Sequence, residues 1–314
     1  MKTAIIFPGQ GSQMVGMGKD LSENFSIAKD VFAEVDNVLK YSLSKIMFDG
    51  SIEELSQTQN TQPALMAVSI ALIRILQKEL DKNFDELCEV TAGHSLGEYS
   101  ALCSANSFSL EQTAHLLKIR GNAMAKCAKK TQGAMAAILG LDIDIAKEIV
   151  KKAAQDQICH LANDNSNSQI VISGQKEAID RAMILAKEHG AKKAIMLPVS
   201  GAFHSPLMFD AQEEMAQALS DMGIKDPIVP IIANVTANKV TDSNLIPDLL
   251  VRQVTGSVKW RETLLFMQNN NIERLIEIGS GKVLCGLAAK TCPDITTTSI
   301  QNYNDLKDFI SNYR

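Results

Sequence analysis

A serine between two glycines is the first feature of the sequence that could carry out a reaction. Ser95 lies in Gly93-His94-Ser95-Leu96-Gly97, a G-x-S-x-G pattern between a predicted strand and a predicted helix. On such a turn the serine backbone is strained, and the residues two positions away must be small so that strand and helix can approach each other. The pattern predicts a nucleophilic serine, and the alternative interpretation is a purely structural glycine turn.

A serine hydroxyl needs a base to accept its proton, and the chain offers few candidates. Its five histidines are His94, His115, His160, His189 and His204. The ring of the first should point away from so tight a turn, the second and fourth fall on predicted surface helices, and the third falls in a strand elsewhere. His204 precedes Ser205 and Pro206, which are typical of the N-cap and first position of a helix, whose positive end would keep the imidazole neutral. A structural histidine is the alternative.

The order of these groups also carries information. In lipases and esterases of the α/β-hydrolase type, an acid and then a histidine follow the nucleophile late in the chain. Here no histidine follows His204. A plain lipase or esterase architecture is therefore disfavoured.

One arginine projects from the apolar side of a helix. Ser109-x-x-Gln112 is a capping box that opens this helix, and Arg120 lies three residues after Leu117 and four before Met124. A guanidinium at this position either pairs with a carboxylate or extends from the edge of the stripe into solvent.

Two glycine-rich segments resemble phosphate-binding loops but depart from their motifs. The segment after the first strand, Gly9-Gln10-Gly11, lacks the third glycine of G-x-G-x-x-G, and Gly18-Lys19 lacks the hydroxyl residue of a Walker A motif. NAD and ATP are therefore weak candidates, and no bound cofactor is expected.

The composition excludes several classes of protein. The 314 residues include 46% hydrophobic residues, and 31 basic against 36 acidic residues give a net charge of −5. These values disfavour a disordered chain, a nucleic-acid binder and a protein of anionic membranes. The longest apolar stretch, 64–76, is too short to span a bilayer, and the apolar N-terminus is too short for a secretory signal. Six scattered cysteines without metal or disulfide spacing indicate reduced thiols, and we expect a cytoplasmic protein.

The elements that would position these residues alternate between strand and helix. Strands are predicted at 3–7, 89–92 and 274–278, and helices at 62–80, after Ser109 and after the glycines that follow residue 278. This alternation predicts an α/β layered fold.

Between residues 128 and 199 the order changes. The predicted elements are strand 133–139, helix 142–154, strand 158–162, a polar turn at 164–168, strand 169–173, helix 176–188 and strand 193–197. This β-α-β-β-α-β order is that of a ferredoxin-like unit. The sequence predicts a small domain at 128–199 inserted into a discontinuous core formed by 1–127 and 200–314.

Four segments together resemble the malonyl-CoA:acyl carrier protein transacylases. They are Phe-Pro-Gly-Gln-Gly-Ser-Gln at 7–13, Gly-His-Ser-Leu-Gly-Glu-Tyr at 93–99, Arg120-Gly121, and Gly-Ala-Phe-His-Ser-Pro at 201–206. They occur in the family's order and approximate spacing across essentially the whole chain. The resemblance implies an α/β-hydrolase-like core with an inserted ferredoxin-like small domain.

The resemblance also implies roles for individual residues. Ser95 would be the nucleophile and His204 its base, and the backbone amides of Gln10 and Leu96 would form the oxyanion hole. Arg120 would bind the malonyl carboxylate, and a carbonyl of Gln253 would orient the histidine. The remaining matches are Phe203, associated with malonyl selectivity, and Asn163 and Asn165, which would face the cleft from the small domain.

The implied activity is a two-step transfer of a malonyl group. The substrate would be malonyl-CoA and the acceptor the phosphopantetheine thiol of an acyl carrier protein, in fatty-acid elongation. A polyketide acyltransferase, a serine hydrolase and a non-acylating binding module are the alternatives. A basic cluster, Lys126, Lys129 and Lys130, either meets an acidic partner or is a solvated helix end.

Overall fold

The computed structural model describes residues 1–313 and shows an α/β fold with two sheets. The strands are β1 Thr3–Phe7, β2 Val90–Gly93, β3 Gly133–Leu139, β4 Cys159–Ser166, β5 Gln169–Gln175, β6 Lys193–Met196, β7 Ile231–Ile232, β8 Lys239–Val240, β9 Arg274–Ile278 and β10 Thr296–Ile300. The helices are α1 Lys19–Asn24, α2 Ser26–Leu39, α3 Leu43–Asp49, α4 Ile52–Leu55, α5 Thr58–Leu80, α6 Gly97–Ser104, α7 Leu110–Thr131, α8 Ile143–Ala154, α9 Lys176–Glu188, α10 Phe209–Ser220, α11 Ile246–Thr255, α12 Trp260–Asn269, α13 Val283–Thr291 and α14 Tyr303–Asn312.

The large sheet has the order β10-β9-β1-β2-β7-β8, and only β8 runs antiparallel to its neighbour. Its central strand β1 is buried along its whole length, as expected for a parallel strand covered on both faces. Ile5 and Phe7 pack into one core with α2, α5 and α7, whereas Ala4 and Ile6 pack into a second core with α12 and α13. The carboxyl ends of β1 and β2 therefore meet at one edge of a rigid layer.

The helix predicted at 62–80 begins earlier than expected, at Thr58. Its first turn is polar and has no side-chain cap, so the sequence carries no local start signal there. The turn is stabilised by contacts from outside the helix: Asn60 donates to the carbonyl oxygen of Glu54 at 2.9 Å and accepts from the hydroxyl of Tyr41 at 2.9 Å. These contacts place Gln62 inside the protein.

The small sheet is antiparallel and has the order β4-β5-β3-β6, with α8 and α9 packed against it. Each strand and helix predicted between 133 and 197 is present, and α9 has the predicted bounds. The prediction of a polar turn at 164–168 is wrong, because β4 continues to Ser166 and only residues 167 and 168 form the turn.

The polar end of β4 is a strand because it pairs with the chain that carries the large sheet. Asp164 donates its backbone N–H to the carbonyl oxygen of Val258 at 2.9 Å, and Val258 donates to the carbonyl oxygen of Ala162 at 2.8 Å. The carboxylate of Asp164 also binds the Arg261 guanidinium at 2.9 Å. This seam brings Asn163 and Asn165 next to the elbow of Ser95.

No helix within residues 1–313 is long and apolar enough to cross a membrane. In the same part of the chain all six cysteines are unpaired thiols, as expected from their spacing.

Candidate active site

The turn that carries Ser95 has the geometry of a strained elbow. It connects the end of β2 to the start of α6, and Ser95 has a φ of 54°, in the left-handed region. A Cβ on Gly93 would lie 1.9 Å from the carbonyl carbon of Gly97, and a Cβ on Gly97 would lie 2.4 Å from the carbonyl oxygen of Phe7. Only glycines allow strand and helix to approach this closely, which is the requirement inferred from the sequence.

His204 is the histidine that contacts the serine. Its Nε2 lies 2.7 Å from Ser95 Oγ, and its Nδ1 lies 2.8 Å from the backbone carbonyl oxygen of Gln253. The carbonyl can only accept, so Nδ1 carries the proton and the Nε2 lone pair is free to accept from the serine hydroxyl. The carbonyl assigned to Gln253 from the sequence is thus that of its main chain.

The imidazole is kept neutral by a different cause from the one expected. Pro206–Met208 form only a 3-10 turn before α10, and the Ser205 hydroxyl donates to the Ala202 carbonyl oxygen instead of capping a helix. Burial, followed by the positive charge of Arg120, lowers the pKa of His204 to about 3.

His94 is held on the other side of the elbow. Its Nε2 bonds Asn165 Oδ1 at 2.9 Å, and its ring packs edge-on against Trp260. A Cβ on Gly9 would lie 2.7 Å from the His94 carbonyl oxygen, so that glycine is needed for the approach of the first loop to the elbow. His94 is therefore engaged away from the Ser95 hydroxyl, and burial lowers its pKa.

Arg120 is fully buried, which corrects the interpretation of a side chain that reaches solvent. Its Nη1 donates to Gln62 Oε1 at 2.8 Å, and its Nη2 donates to Gln253 Oε1 at 2.8 Å and to Ser95 Oγ at 3.1 Å. Its Nε has no hydrogen-bond partner among the described residues. No carboxylate in that part of the chain forms a direct ion pair with this guanidinium, and its hydrogen bonds go to the neutral groups of Gln62, Gln253 and Ser95.

Two residues that the sequence analysis did not select complete the support of the elbow. Asn234 accepts from the backbone N–H of Ser95 at 2.8 Å and donates to the carbonyl oxygen of Gly93 at 2.7 Å. Glu98 accepts from Gln253 Nε2 at 2.6 Å. The position of Asn234 could have indicated its role. It follows β7, which neighbours β2, and side chains at the carboxyl ends of neighbouring parallel strands converge.

Two backbone amides in the loops next to Ser95 have no acceptor among the described residues. Neither the N–H of Gln10 nor that of Leu96 is hydrogen-bonded within residues 1–313. Leu96 directly follows the serine, and Gln10 follows β1, whose Phe7 carbonyl oxygen accepts from the His94 N–H at 3.0 Å. The two loops that carry these amides are therefore neighbours at the elbow, as an oxyanion hole requires.

A cleft of about 1320 Å³ opens above the serine, between the two sheets. Its lining includes Ser95, Arg120, His204 and Gln10 from the side of the large sheet, together with Phe203 and Asn163. Asn165 instead holds His94.

The basic cluster also lines this cleft, at the end of α7. Lys126 pairs with Glu214 at 2.8 Å, and Lys130 pairs with Asp210 at 2.7 Å. Both acidic partners belong to α10, so the exposed cluster at the end of α7 is partly neutralised within the chain.

Comparison with known proteins agrees with this geometry. The family model of the acyl transferase domain matches residues 4–301. A malonyl CoA-acyl carrier protein transacylase of Bacillus subtilis is 42% identical over 302 residues, which cover 96% of this chain and 94% of the relative. The chain belongs to this transacylase family.

Solved structures of the transacylase family have the same fold. An acyl-carrier-protein-S-malonyltransferase from Bartonella henselae has a TM-score of 0.96 and 48% identity, with 99% of each chain covered. A malonyl-transacylase solved in complex with a type II PKS acyl-carrier protein has a TM-score of 0.95 and 37% identity, with 99% of this chain and 100% of that chain covered. The four segments that predicted this family from the sequence all lie within the matched region.

Proposed function

We propose that the protein transfers a malonyl group from malonyl-CoA to the phosphopantetheine thiol of an acyl carrier protein, for fatty-acid elongation. The observation that carries this proposal is a buried guanidinium 3.1 Å from Ser95 Oγ, with no carboxylate paired to it among the described residues. A buried arginine needs an anionic partner, and a malonyl group attached to Ser95 would bring its carboxylate to this position.

In the first step, His204 Nε2 takes the proton of Ser95 Oγ as the oxygen attacks the thioester carbonyl. The negative charge that develops on the carbonyl oxygen is stabilised by the amides of Gln10 and Leu96. CoA leaves as the thiol, with the proton from His204. In the second step, the carrier thiol gives its proton to His204 and attacks the acyl-serine. The Ser95 oxygen leaves and takes this proton from His204, which regenerates the free enzyme and releases the malonyl carrier protein.

We also propose the finer fold assignment made from the sequence. The large sheet would be an α/β-hydrolase-like core formed by 1–127 and 200–314, and the small sheet a ferredoxin-like domain formed by 128–199. The support is the strand order of the small sheet, in which the first and third strands of the unit are central. The helix α7 extends to Thr131, so the proposed boundary falls in its last turn. A cytoplasmic location and the absence of a bound cofactor stay predictions.

The test of this function is a brief incubation with labelled malonyl-CoA, followed by mass measurement of the denatured protein. A transacylase retains a malonyl adduct until carrier protein is added and then transfers the label to the carrier. A serine hydrolase would lose the adduct to water without carrier protein, and a binding module would form no adduct.

We predict that His204→Ala reduces the rate of acylation by ~10²-fold or more, because the general base is lost. His94→Ala should retain a working base, since the His94 ring contacts Asn165 instead of Ser95 Oγ. Stopped-flow measurement of CoA release compares the two variants. The opposite ranking would exchange the roles of the two histidines and refute this assignment.

The pH dependence of acylation offers a further test of His204. With its pKa near 3, the imidazole is the free base at neutral pH, and its protonation should slow the reaction only as the pH falls towards that value. Arg120→Ala removes a positive charge that lowers this pKa, so the acid limb should move to higher pH. The rate of acylation by acetyl-CoA, measured from acid to neutral pH in the native protein and in Arg120→Ala, shows whether the acid limb moves to higher pH. An acid limb that stays in place would show that burial alone sets the pKa.

A further inference from the structure

A buried carboxylate beneath the elbow has no role in the reaction described above. Glu98 is the second residue of α6 and only 3% exposed. Its Oε2 accepts from Gln253 Nε2 at 2.6 Å and from the backbone N–H of Asn234 at 3.3 Å. Gln253 Nε2 also donates to the carbonyl oxygen of Ser95 at 2.9 Å, and Asn234 Oδ1 accepts from the backbone N–H of Ser95 at 2.8 Å. Glu98 thus anchors two of the groups that hold the nucleophile.

The carboxylate also decides which way the amide of Gln253 faces. The amide nitrogen donates to Glu98 and to the carbonyl oxygen of Ser95, so the amide oxygen must point to the other side, towards Arg120 Nη2 at 2.8 Å. The reversed amide would place an NH₂ group against the guanidinium and an oxygen against two acceptors. A single amide therefore connects the buried acid to the buried arginine.

This arrangement has a consequence for the charge of the site. Without substrate, Glu98 is the carboxylate that interacts electrostatically with Arg120 through the intervening amide. A malonyl carboxylate on Arg120 would add a second negative charge to the same buried region, and two like charges close together in a low dielectric oppose each other. A proton on Glu98 Oε1 would remove this repulsion and leave Oε2 free to accept from Gln253.

We propose that Glu98 is a positioning residue that holds Arg120 through the Gln253 amide and takes up a proton when the acyl carboxylate binds. This inference rests on the proposed function, because it requires an acyl group that ends in a carboxylate. It distinguishes two states of the site. In the free enzyme Glu98 is a carboxylate linked to Arg120 through the Gln253 amide, and in the complex Glu98 is a neutral acid while the substrate carboxylate binds Arg120.

The surroundings make this proton exchange accessible near neutral pH. Burial raises the pKa of Glu98 to about 7, and its hydrogen bonds and Arg120 act in the opposite direction. The titratable groups around it are Arg120 from α7, Tyr99 from its own helix and His204 across the elbow, while β1 and β2 carry none. On α5 the charged residues lie in its second half, where Arg74 pairs with Glu34.

The sign of the expected pH effect follows from linkage. A bound malonyl carboxylate raises the pKa of Glu98 further, so the complex binds more protons than the free enzyme. The affinity for malonyl-CoA should therefore fall as the pH rises above about 7, by at most about tenfold per pH unit for one proton. Acetyl-CoA brings the same CoA moiety without the carboxylate and should not show this dependence.

Calorimetry of the Ser95→Ala protein measures the proton directly, since this variant binds the ligand without reacting. Titrations at about pH 8 in two buffers of different ionisation enthalpy should show uptake of up to about one proton with malonyl-CoA and none beyond the CoA contribution with acetyl-CoA. Adding Glu98→Gln should abolish this difference. The matched control is Glu277→Gln, a buried acid with a raised pKa that accepts from the amides of Leu284 and Cys285, and it should retain the uptake.

The positioning role is tested in the reactive enzyme. Glu98→Gln keeps an acceptor for the amide of Gln253, whereas Glu98→Ala removes it. We expect Glu98→Ala to lower the ratio of malonyl to acetyl kcat/KM by about tenfold or more, and Glu98→Gln to restore most of that ratio while it removes the pH dependence. A merely structural acid would lower both substrates together and leave the ratio unchanged.

Two results would overturn this inference: proton uptake that persists in Glu98→Gln, or malonyl-CoA binding without uptake in the Ser95→Ala parent. Either can occur while the unmodified enzyme still forms a malonyl-serine and transfers it to carrier protein. A failure of the proposed function is recognised separately, because Ser95 would then acquire no malonyl adduct.

Discussion

Ser95→Ala is expected to abolish the malonyl adduct and to reduce transfer to carrier protein by about 10⁴-fold or more. The hydroxyl contacts the neutral His204 at 2.7 Å and lies at the elbow, next to the loops that carry the unpaired amides of Gln10 and Leu96. The variant should fold, because alanine removes only the hydroxyl oxygen of Ser95 and keeps the backbone hydrogen bonds with Asn234 and Gln253.

Ser100→Ala is the matched control, since Ser100 lies on α6, the helix that follows the elbow, and its buried hydroxyl has no partner among the described residues. Mass measurement of the denatured proteins after incubation with malonyl-CoA should detect the adduct in this control and not in Ser95→Ala. A malonyl group on another residue of Ser95→Ala would show that the nucleophile has been assigned wrongly.

Arg120→Ala should reverse the preference for malonyl over acetyl groups. The loss of a buried charged partner costs ~2 to 5 kcal/mol, or roughly 30- to 5,000-fold in malonyl kcat/KM. Acetyl transfer should change little, because two effects of the substitution oppose each other. Ser95 Oγ loses a hydrogen bond from Nη2, which slows attack, while His204 becomes more basic, which favours proton removal.

Arg120→Lys is the informative companion variant, since it keeps a charge and loses the planar fork that matches a carboxylate. It should fall between the native enzyme and Arg120→Ala for malonyl-CoA. Phe203 lines the same cleft, and Phe203→Ser should chiefly admit methylmalonyl-CoA, because the ring no longer crowds the additional methyl group. Competition assays with the three thioesters measure these preferences. If Arg120→Ala lowered malonyl and acetyl transfer by the same factor, the arginine would support the fold and would not recognise the substrate.

Local patterns in the sequence were sufficient to predict many of the elements. The capping box at Ser109 and Gln112 is present in α7, and the strands next to Pro8 and Gly93 follow from short apolar runs that end in turn residues. The elbow could be predicted because its requirement is steric and local. The two glycines lie two residues on either side of the serine, and a side chain on Gly93 would collide with Gly97. The first turn of α5 and the end of β4 could not be predicted, because their polar side chains are satisfied by distant partners such as Tyr41 and Arg261.

The same distinction applies to the site. The sequence by itself determined the candidate nucleophile, the histidine that remains after elimination, and an arginine out of place on an apolar stripe. Only the tertiary structure decided that this arginine is buried with no direct ion pair among residues 1–313, that a main-chain carbonyl orients His204, and that Glu98 and Asn234 support the elbow. The physical reason is that hydrogen bonds and burial join residues more than a hundred positions apart, such as Ser95 with Asn234, and no local period or spacing records such a contact.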